Sequence, residues 1–214
     1  AAADALVSEI AQAGGKAVAL AADLADEAAV TSLLPQAIAA LGPVGILVNN
    51  ASIFENDTVA TASREGWEGH MAINLRAPFV LIQEFAALLP PDSGGVVINL
   101  LDERVWNLTP YFVSYTVTKD ALWTLTRTMA LALAPRIRVN GIGPGPTMPS
   151  PRQSAEQFLA RCRSLPLRRG TSPEEIAAAL RFILAAPAMT GQMIALDGGE
   201  HLGWAQPSQA PLVE

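Results

Sequence analysis

Two reactive side chains four residues apart are the sharpest chemical signal in this sequence. Tyr115 and Lys119 stand at the ends of the segment Tyr-Thr-Val-Thr-Lys. Residues four apart share one face of a helix, so a phenol and an ammonium at this spacing can point into the same cleft. A nearby ammonium favours the phenolate, and we expect it to lower the pKa of Tyr115 from about 10 toward neutrality. Tyr115 would then exchange protons at physiological pH. A surface tyrosine beside a solvated lysine is the alternative, in a chain with only two residues of each type.

Small and polar residues follow four of the predicted strands. In a doubly wound sheet, ligands bind at the carboxyl ends of the strands, so we expect these residues to line one crevice. Each of them taken singly could be an ordinary turn. The four strand ends are Asp23-Leu24, Asn50-Ala51-Ser52, Leu101-Asp102 and the segment 143–147.

The elements that must position these residues alternate between apolar strands and helices. Strands that are apolar throughout, separated by helical patterns, indicate a parallel sheet covered on both faces. The expected fold is therefore α/β, a doubly wound parallel sheet in one domain over 1–204, with a tail at 205–214. The loop 143–153, with four prolines, suits a lid or a crossing connection. Strands are predicted at 16–21, 46–48, 96–101, 137–142 and 193–196, and helices at 26–41, 63–89 (with a break before Pro78), 114–133 and from 173 onward.

Composition restricts the partners and the compartment. The 214 residues are 50% hydrophobic and 16% charged, which excludes a disordered chain. A formal charge of −6 disfavours binding to nucleic acid and to anionic membranes. The sequence contains no uninterrupted run of about 18 apolar residues, so no membrane span is predicted. Cys162 is the only cysteine, which fits a reducing cytoplasm. His70 and His201 are far apart in sequence, and we expect no metal site.

Several motifs, in their order along the chain, resemble those of the short-chain dehydrogenase/reductase family. The resemblance implies a Rossmann-type fold that binds NAD(H) or NADP(H), often in a homotetramer. The motifs are Asn49-Asn50-Ala51-Ser52, Asn74, the Tyr115/Lys119 pair, Arg138-Val139-Asn140 leading into Pro144-Gly145, and Leu196-Asp197-Gly198-Gly199.

The same resemblance implies roles for individual residues. Tyr115 and Lys119 would be catalytic, Lys119 would also bind the nicotinamide ribose, and Asn74 would hold a water in the proton relay. Asp23 and Leu24 would lie beside the adenine. The remaining cofactor-binding residues would be Asn50, Ala51, Ser52, Leu101, Pro144, Gly145 and Thr147.

One departure from the family pattern narrows the chemistry. Thirteen residues before the tyrosine, where the family usually has a serine, this chain has Asp102. A serine hydroxyl donates a hydrogen bond to a carbonyl, whereas a carboxylate cannot and would repel the developing charge. A carboxylate suits a substrate that offers N–H groups or needs a proton on a ring nitrogen. The replacement resembles the pteridine reductase branch, in which an aromatic at the position of Phe54 stacks on the pterin; Phe54 could equally fill the core.

We therefore predict an NADPH-dependent reductase of a C=N bond in a pterin or dihydrofolate-like ring. Asp102 would orient the ring and help protonate it, and Tyr115 would bind and protonate the substrate. A carbonyl or alcohol oxidoreductase is the alternative within enzymes. A catalytically silent subunit or interaction module is the alternative outside them.

The second departure is at the start of the chain. No glycine-rich turn of the kind that binds pyrophosphate appears upstream of Ala17. We expect a fragment that lacks the family's first strand, helix and second strand. The residue that separates NADP from NAD would lie in that segment, so NAD stays open.

Overall fold

A four-stranded parallel sheet forms the centre of the molecule in this computed structural model, which describes residues 2–203. The strand order is β1-β2-β3-β4, and every neighbouring pair is parallel. The predicted parallel sheet with alternating strands and helices is confirmed, although the strand predicted to be buried at 46–48 has Ile46 and Val48 exposed. Trp204 and the tail at 205–214 lie outside the described residues. The strands are β1 (Ile46–Asn49), β2 (Gly95–Leu100), β3 (Ile137–Pro144) and β4 (Met193–Leu196).

Seven α-helices among the described residues flank or connect these strands. Asp26 caps α2 through its side chain, and Ser172 and Ser154 form capping boxes at the starts of α7 and α6. Helix α6 was not predicted from the sequence. The helices are α1 (Ala2–Gln12), α2 (Glu27–Leu41), α3 (Arg64–Met71), α4 (Ala77–Leu88), α5 (Val113–Leu133), α6 (Ala155–Ser164) and α7 (Pro173–Ala185), with 3₁₀ turns at Glu103–Val105 and Glu200–Leu202.

The helical pattern at 63–89 is continuous rather than broken before Pro78. A π-helical turn, Ala72–Arg76, joins α3 to α4. Pro78 has no N–H for the carbonyl four residues earlier, and the wider turn accommodates that loss. By length and composition alone the run 64–88 could cross a membrane. Its Ile82 and Phe85 are buried in the core, as in the central helix of a globular domain.

Both faces of the sheet are covered. On one face, Val97 and Val139 pack against Ile82 and Phe85 of α4 and Ala130 of α5. On the other face, α7 covers Ile98 and Ile142. Because α4, α5 and α7 fix β2 and β3 from two sides, the carboxyl ends of these two strands have a defined position.

The strand predicted at 16–21 is wrong. Residues 15–23 adopt no regular secondary structure, and Val18 is exposed. A strand is stabilised by ladder hydrogen bonds to a neighbour, and within residues 2–203 the sheet ends at β1. The edge strand β1 also exposes Ile46 and Val48.

Candidate functional site

A cavity of about 410 Å³ opens at the carboxyl ends of β2 and β3. It brings together most of the residues singled out from the sequence, although they lie up to 97 positions apart. Further lining residues include Glu103, Arg104, Phe158 and Arg161. The predicted residues that line the cavity are Asn50, Ser52, Phe54, Leu101, Asp102, Tyr115, Lys119, Pro144, Gly145 and Thr147.

Asp102 and Tyr115 are in direct contact at the bottom of this cavity. The Tyr115 hydroxyl donates to Asp102 Oδ2 over 2.8 Å. The other carboxylate oxygen, Oδ1, accepts a hydrogen bond from the backbone N–H of Arg104 over 2.9 Å. Through this bond Asp102 caps the start of the 3₁₀ turn 103–105. The Arg104 guanidinium lies 3.9 Å from the same oxygen. These contacts fix the orientation of the Asp102 carboxyl group beside the phenol.

The pKa of Tyr115 is shifted in the direction opposite to the one expected. Burial raises it well above its ordinary value, and the Asp102 carboxylate raises it further. The prediction that Lys119 would bring the pKa of Tyr115 toward neutrality is therefore wrong for this arrangement. Desolvation and an adjacent anion both disfavour the phenolate, and here they outweigh the opposing charge of Arg104. Tyr115 is thus a proton donor in its resting form.

Lys119 lies on the same face of α5, as the spacing predicted, with Nζ 5.6 Å from the centroid of the Tyr115 ring. Its ammonium donates to the carbonyl of Leu100 at the end of β2, over 2.7 Å. Burial lowers the pKa of Lys119 to about 8. The ammonium form of Lys119 therefore prevails at neutral pH, and a rise of about one pH unit brings the group to its pKa.

Phe54, which lines the cavity, packs among aromatic rings and two guanidinium groups. Phe54 stacks on Phe112, with centroids 4.2 Å apart, and meets Tyr115 edge-on at 4.6 Å. Arg152, from the proline-rich loop after β3, lies 5.1 Å from the Phe54 ring and donates to the Phe54 carbonyl. Arg104 lies 5.0 Å from the Phe112 ring. Phe54 is thus held beside Tyr115 by its neighbours.

A buried network of three polar side chains joins the Phe54 loop to the start of α5. Asp57 accepts from both the backbone N–H and the hydroxyl of Ser114, the residue before Tyr115. The Ser114 hydroxyl also meets His70 Nδ1 at 2.9 Å, and His70 Nε2 accepts from the backbone N–H of Glu55. Because Nε2 accepts, the ring proton lies on Nδ1. The Asp57–Ser114–His70 network therefore fixes the Phe54 loop relative to Tyr115.

Asn74 and three other predicted residues lie outside the cavity lining. The Asn74 amide, in the π-helical turn, accepts from the backbone N–H of Ile53 and donates to its carbonyl, so it supports the Phe54 loop from behind. Leu24 packs near Val30, and the Asp23 carboxylate accepts from a neighbouring backbone N–H. Ala51 is exposed beside the cavity. Water binding by Asn74 and adenine contacts at Asp23 and Leu24 stay predictions.

The structure adds residues that the sequence did not single out. Glu103 and Arg104 directly follow Asp102 and are almost completely buried. Two adjacent charged residues after a buried strand were the available signal for them. The Ser114 and Asp57 contacts join positions 57 residues apart, and no local pattern predicts such a pairing.

Comparisons with known proteins identify the family and the fold of this chain. Residues 1–201 match the family profile described as enoyl-(acyl carrier protein) reductase, of the short-chain alcohol dehydrogenase type. The chain is 31% identical to a 3-oxoacyl-[acyl-carrier-protein] reductase of Synechocystis over 204 residues, covering 92% of this chain and 81% of the relative. It is 34% identical to 3beta-hydroxysteroid dehydrogenase 1 of Eggerthella lenta, covering 92% and 78%.

A solved structure is more similar still. FolM alternative dihydrofolate reductase 1 from Brucella suis, in complex with NADP, superposes with a TM-score of 0.92 at 46% identity, covering 97% of this chain and 83% of that one. A blue fluorescent protein from a metagenomic library, in complex with NADPH, superposes with a TM-score of 0.84 at 35% identity, covering 92% and 81%.

Proposed function

The chain belongs to the short-chain dehydrogenase/reductase family of NAD(P)-dependent oxidoreductases, and we propose that it reduces a C=N bond of a pterin or dihydrofolate-like ring with NADPH. The observation that carries this proposal is the hydrogen bond between Tyr115 and Asp102. Asp102 occupies the position at which the family usually has a serine. The similarity to a protein called an alternative dihydrofolate reductase supports it.

Asp102 selects the substrate in this account. A carboxylate oriented by the Arg104 backbone can accept hydrogen bonds from the N–H and amino groups of a pterin edge. A ketone offers no such donor, and its oxygen gains negative charge as it is reduced, next to an anion. Asp102 also receives the Tyr115 hydroxyl, so the two groups can pass a proton to a ring nitrogen.

Tyr115 supplies that proton, and Phe54 holds the ring. Burial keeps Tyr115 protonated, which suits a donor in the reductive direction. A flat heterocycle gains from stacking on an aromatic ring, and Phe54 lines the cavity within 4.6 Å of the Tyr115 ring. Asn74 would order a water for the relay while it supports Ile53.

The donor set of the cavity fits a dinucleotide. The Lys119 ammonium, the Asn50 amide and the hydroxyls of Ser52 and Thr147 suit ribose hydroxyls and a carboxamide, and Pro144 and Gly145 offer a close backbone approach. When bound, the reduced nicotinamide supplies the hydride. We propose NADP rather than NAD because two similar structures were obtained with NADP or NADPH.

We also propose that the protein forms a homo-oligomer, a tetramer as is common in the family. An apolar groove on the outer face of α5, next to α4, supports a contact between subunits. It is lined by Met71, Leu75, Phe79, Ala121 and Leu125, among others.

Carbonyl reduction is the second candidate. It is favoured by the relatives that act on oxoacyl and hydroxysteroid substrates, at 31% and 34% identity. In that case Asp102 would have a role unrelated to substrate choice.

Steady-state NADPH oxidation separates the two candidates. The protein, expressed from its complete open reading frame, is assayed with dihydropterins and dihydrofolate and with a panel of ketones and oxoacyl thioesters. We expect kcat/KM for the best pterin to exceed that for the best carbonyl compound by at least about 100-fold, equivalent to about 2.7 kcal/mol of differential transition-state stabilisation. A carbonyl substrate that is reduced as well as any pterin would contradict the proposal.

A further inference from the structure

Glu103 is a buried carboxyl group that the proposed mechanism does not use. It follows Asp102 directly, lines the cavity and is 2% exposed. Its Oε2 has no hydrogen-bond partner among the described residues. An ionised carboxylate in such a place carries a large desolvation cost, whereas the neutral acid carries a much smaller one.

The groups around Glu103 are charged and come from three elements. Asp102 and Arg104 flank it on the 3₁₀ turn, Arg161 comes from α6 and Glu200 from the 3₁₀ turn 200–202. Arg161 lies 3.0 Å from Glu200 Oε1 but 3.8 Å from Glu103 Oε1. Among the described residues, three carboxyl groups thus share the neighbourhood of two guanidinium groups, an arrangement that favours a proton on one of the carboxyl groups.

The hydrogen bonds indicate which carboxyl holds that proton. Asp102 accepts from Tyr115 and from the Arg104 backbone, and Glu200 accepts from Arg161. Among residues 2–203, a guanidinium nitrogen of Arg161 lies 3.8 Å from Glu103 Oε1, and Glu103 Oε2 has no hydrogen-bond partner, as is also true of Glu200 Oε2. Burial raises the pKa of Glu103 to about 9, with Glu200 and Asp102 adding to the effect and Arg104 and Arg161 opposing it.

We propose that Glu103 is held as a neutral carboxylic acid and that this neutrality leaves Asp102 as the one carboxylate the 102–103 pair presents to the substrate. Glu103 is a positioning residue in this sense, because it acts through the charge state of its neighbours. The functional part rests on the proposed pterin chemistry, whereas the protonation state does not.

Ionisation of Glu103 would disturb the proton donor. A second negative charge beside Asp102 would raise the pKa of Tyr115 further, because the charge of an ionised Glu103 acts in that direction. Proton transfer from Tyr115 would become harder in the alkaline range. Lys119 loses its own proton near pH 8, so two groups should titrate in sequence.

Infrared spectroscopy tests the protonation state without any substrate. In the whole protein, we expect the carbonyl stretch of a protonated carboxyl group to titrate away near pH 9. Glu103→Gln should abolish that band. Glu200→Gln, the matched control, should keep it with a lower midpoint, because the Glu200 carboxylate raises the pKa of Glu103. A band that persists in Glu103→Gln and vanishes in Glu200→Gln would overturn the assignment.

The pH dependence of pterin reduction tests the functional part. For the wild type we expect log kcat/KM to fall with a slope near −1 above pH 8 and near −2 above pH 9. Glu103→Gln should retain only the slope of −1. An unchanged slope of −2 in this variant would contradict the role of Glu103. If the wild type reduces no pterin, the proposed function fails, while the infrared result still decides the assignment of Glu103.

Discussion

The centre of the sheet and its β1 edge are built from similar apolar residues but differ in burial and in the site residues that follow them. Ile98 in β2 is fully buried against α7, whereas Ile46 in β1 is 47% exposed. The chain after β2 carries Asp102 and Glu103, and the Leu100 carbonyl fixes Lys119. Residues 15–23, which precede β1 in the chain, adopt no regular structure. The buried core and the Asp102–Tyr115–Lys119 group thus lie at β2, β3 and α5, while the chain after β1 contributes Asn50, Ser52 and Phe54 to the cavity lining.

The largest expected effect on activity is that of replacing Tyr115. Tyr115→Phe removes the proton donor and should lower kcat/KM by roughly 10²–10⁴-fold. Tyr111→Phe is the matched control, because Tyr111 is 46% exposed, and should leave kcat/KM within about twofold. Steady-state kinetics at neutral pH measure both. Equal losses in the two variants would contradict the assignment of Tyr115.

Two isoleucine substitutions compare the centre with the edge directly. Ile98→Ala should lower the free energy of unfolding by about 2–5 kcal/mol, because it leaves a cavity in a packed core. Ile46→Ala should change it by only about 0.5 kcal/mol, as at an exposed position. Urea denaturation of the two variants gives both values. A large loss for Ile46→Ala would show that the β1 edge is covered in the whole protein.

The Asp57–Ser114–His70 network should contribute at an intermediate level. Asp57→Asn replaces an acceptor of the Ser114 hydroxyl by an amide, and we expect a loss of about 1–3 kcal/mol in unfolding free energy. The KM for the pterin should rise as well, because the Phe54 loop loses its attachment to α5. Asp120→Asn, on the exposed face of the same helix, controls for loss of charge. Indistinguishable Asp57 and Asp120 variants would contradict this role.

The pH dependence of activity should reveal Lys119. Burial lowers its pKa to about 8, so the ammonium is present below pH 8 and is lost as the pH rises through that value. Because we propose that the ammonium binds the nicotinamide ribose, we expect its loss to lower kcat/KM about fivefold between pH 8 and 9 and about tenfold per unit above that. A pH-independent kcat/KM across this range would mean that the charge of Lys119 is dispensable.

The sequence predicted the central region well because its signals are local. Short apolar runs specify β2 to β4. Apolar residues at helical spacing specify α2 and α7, and Asp26 and Ser172 cap these two helices. The segment 16–21 has the same apolar pattern, but a strand depends on a partner that local pattern cannot supply. The pKa of Tyr115 was misjudged for a related reason. Its direction depends on burial and on Asp102, not on the lysine spacing alone.

The most direct test of the central claim is substrate preference in Asp102→Ser. The ratio of kcat/KM for a dihydropterin to kcat/KM for a ketone is measured for the wild type and for this variant. We predict that the ratio falls at least about 100-fold, because a serine hydroxyl donates to a carbonyl and cannot accept two ring N–H groups as a carboxylate does. A ratio that stays the same would contradict the claim that Asp102 makes this protein a C=N reductase.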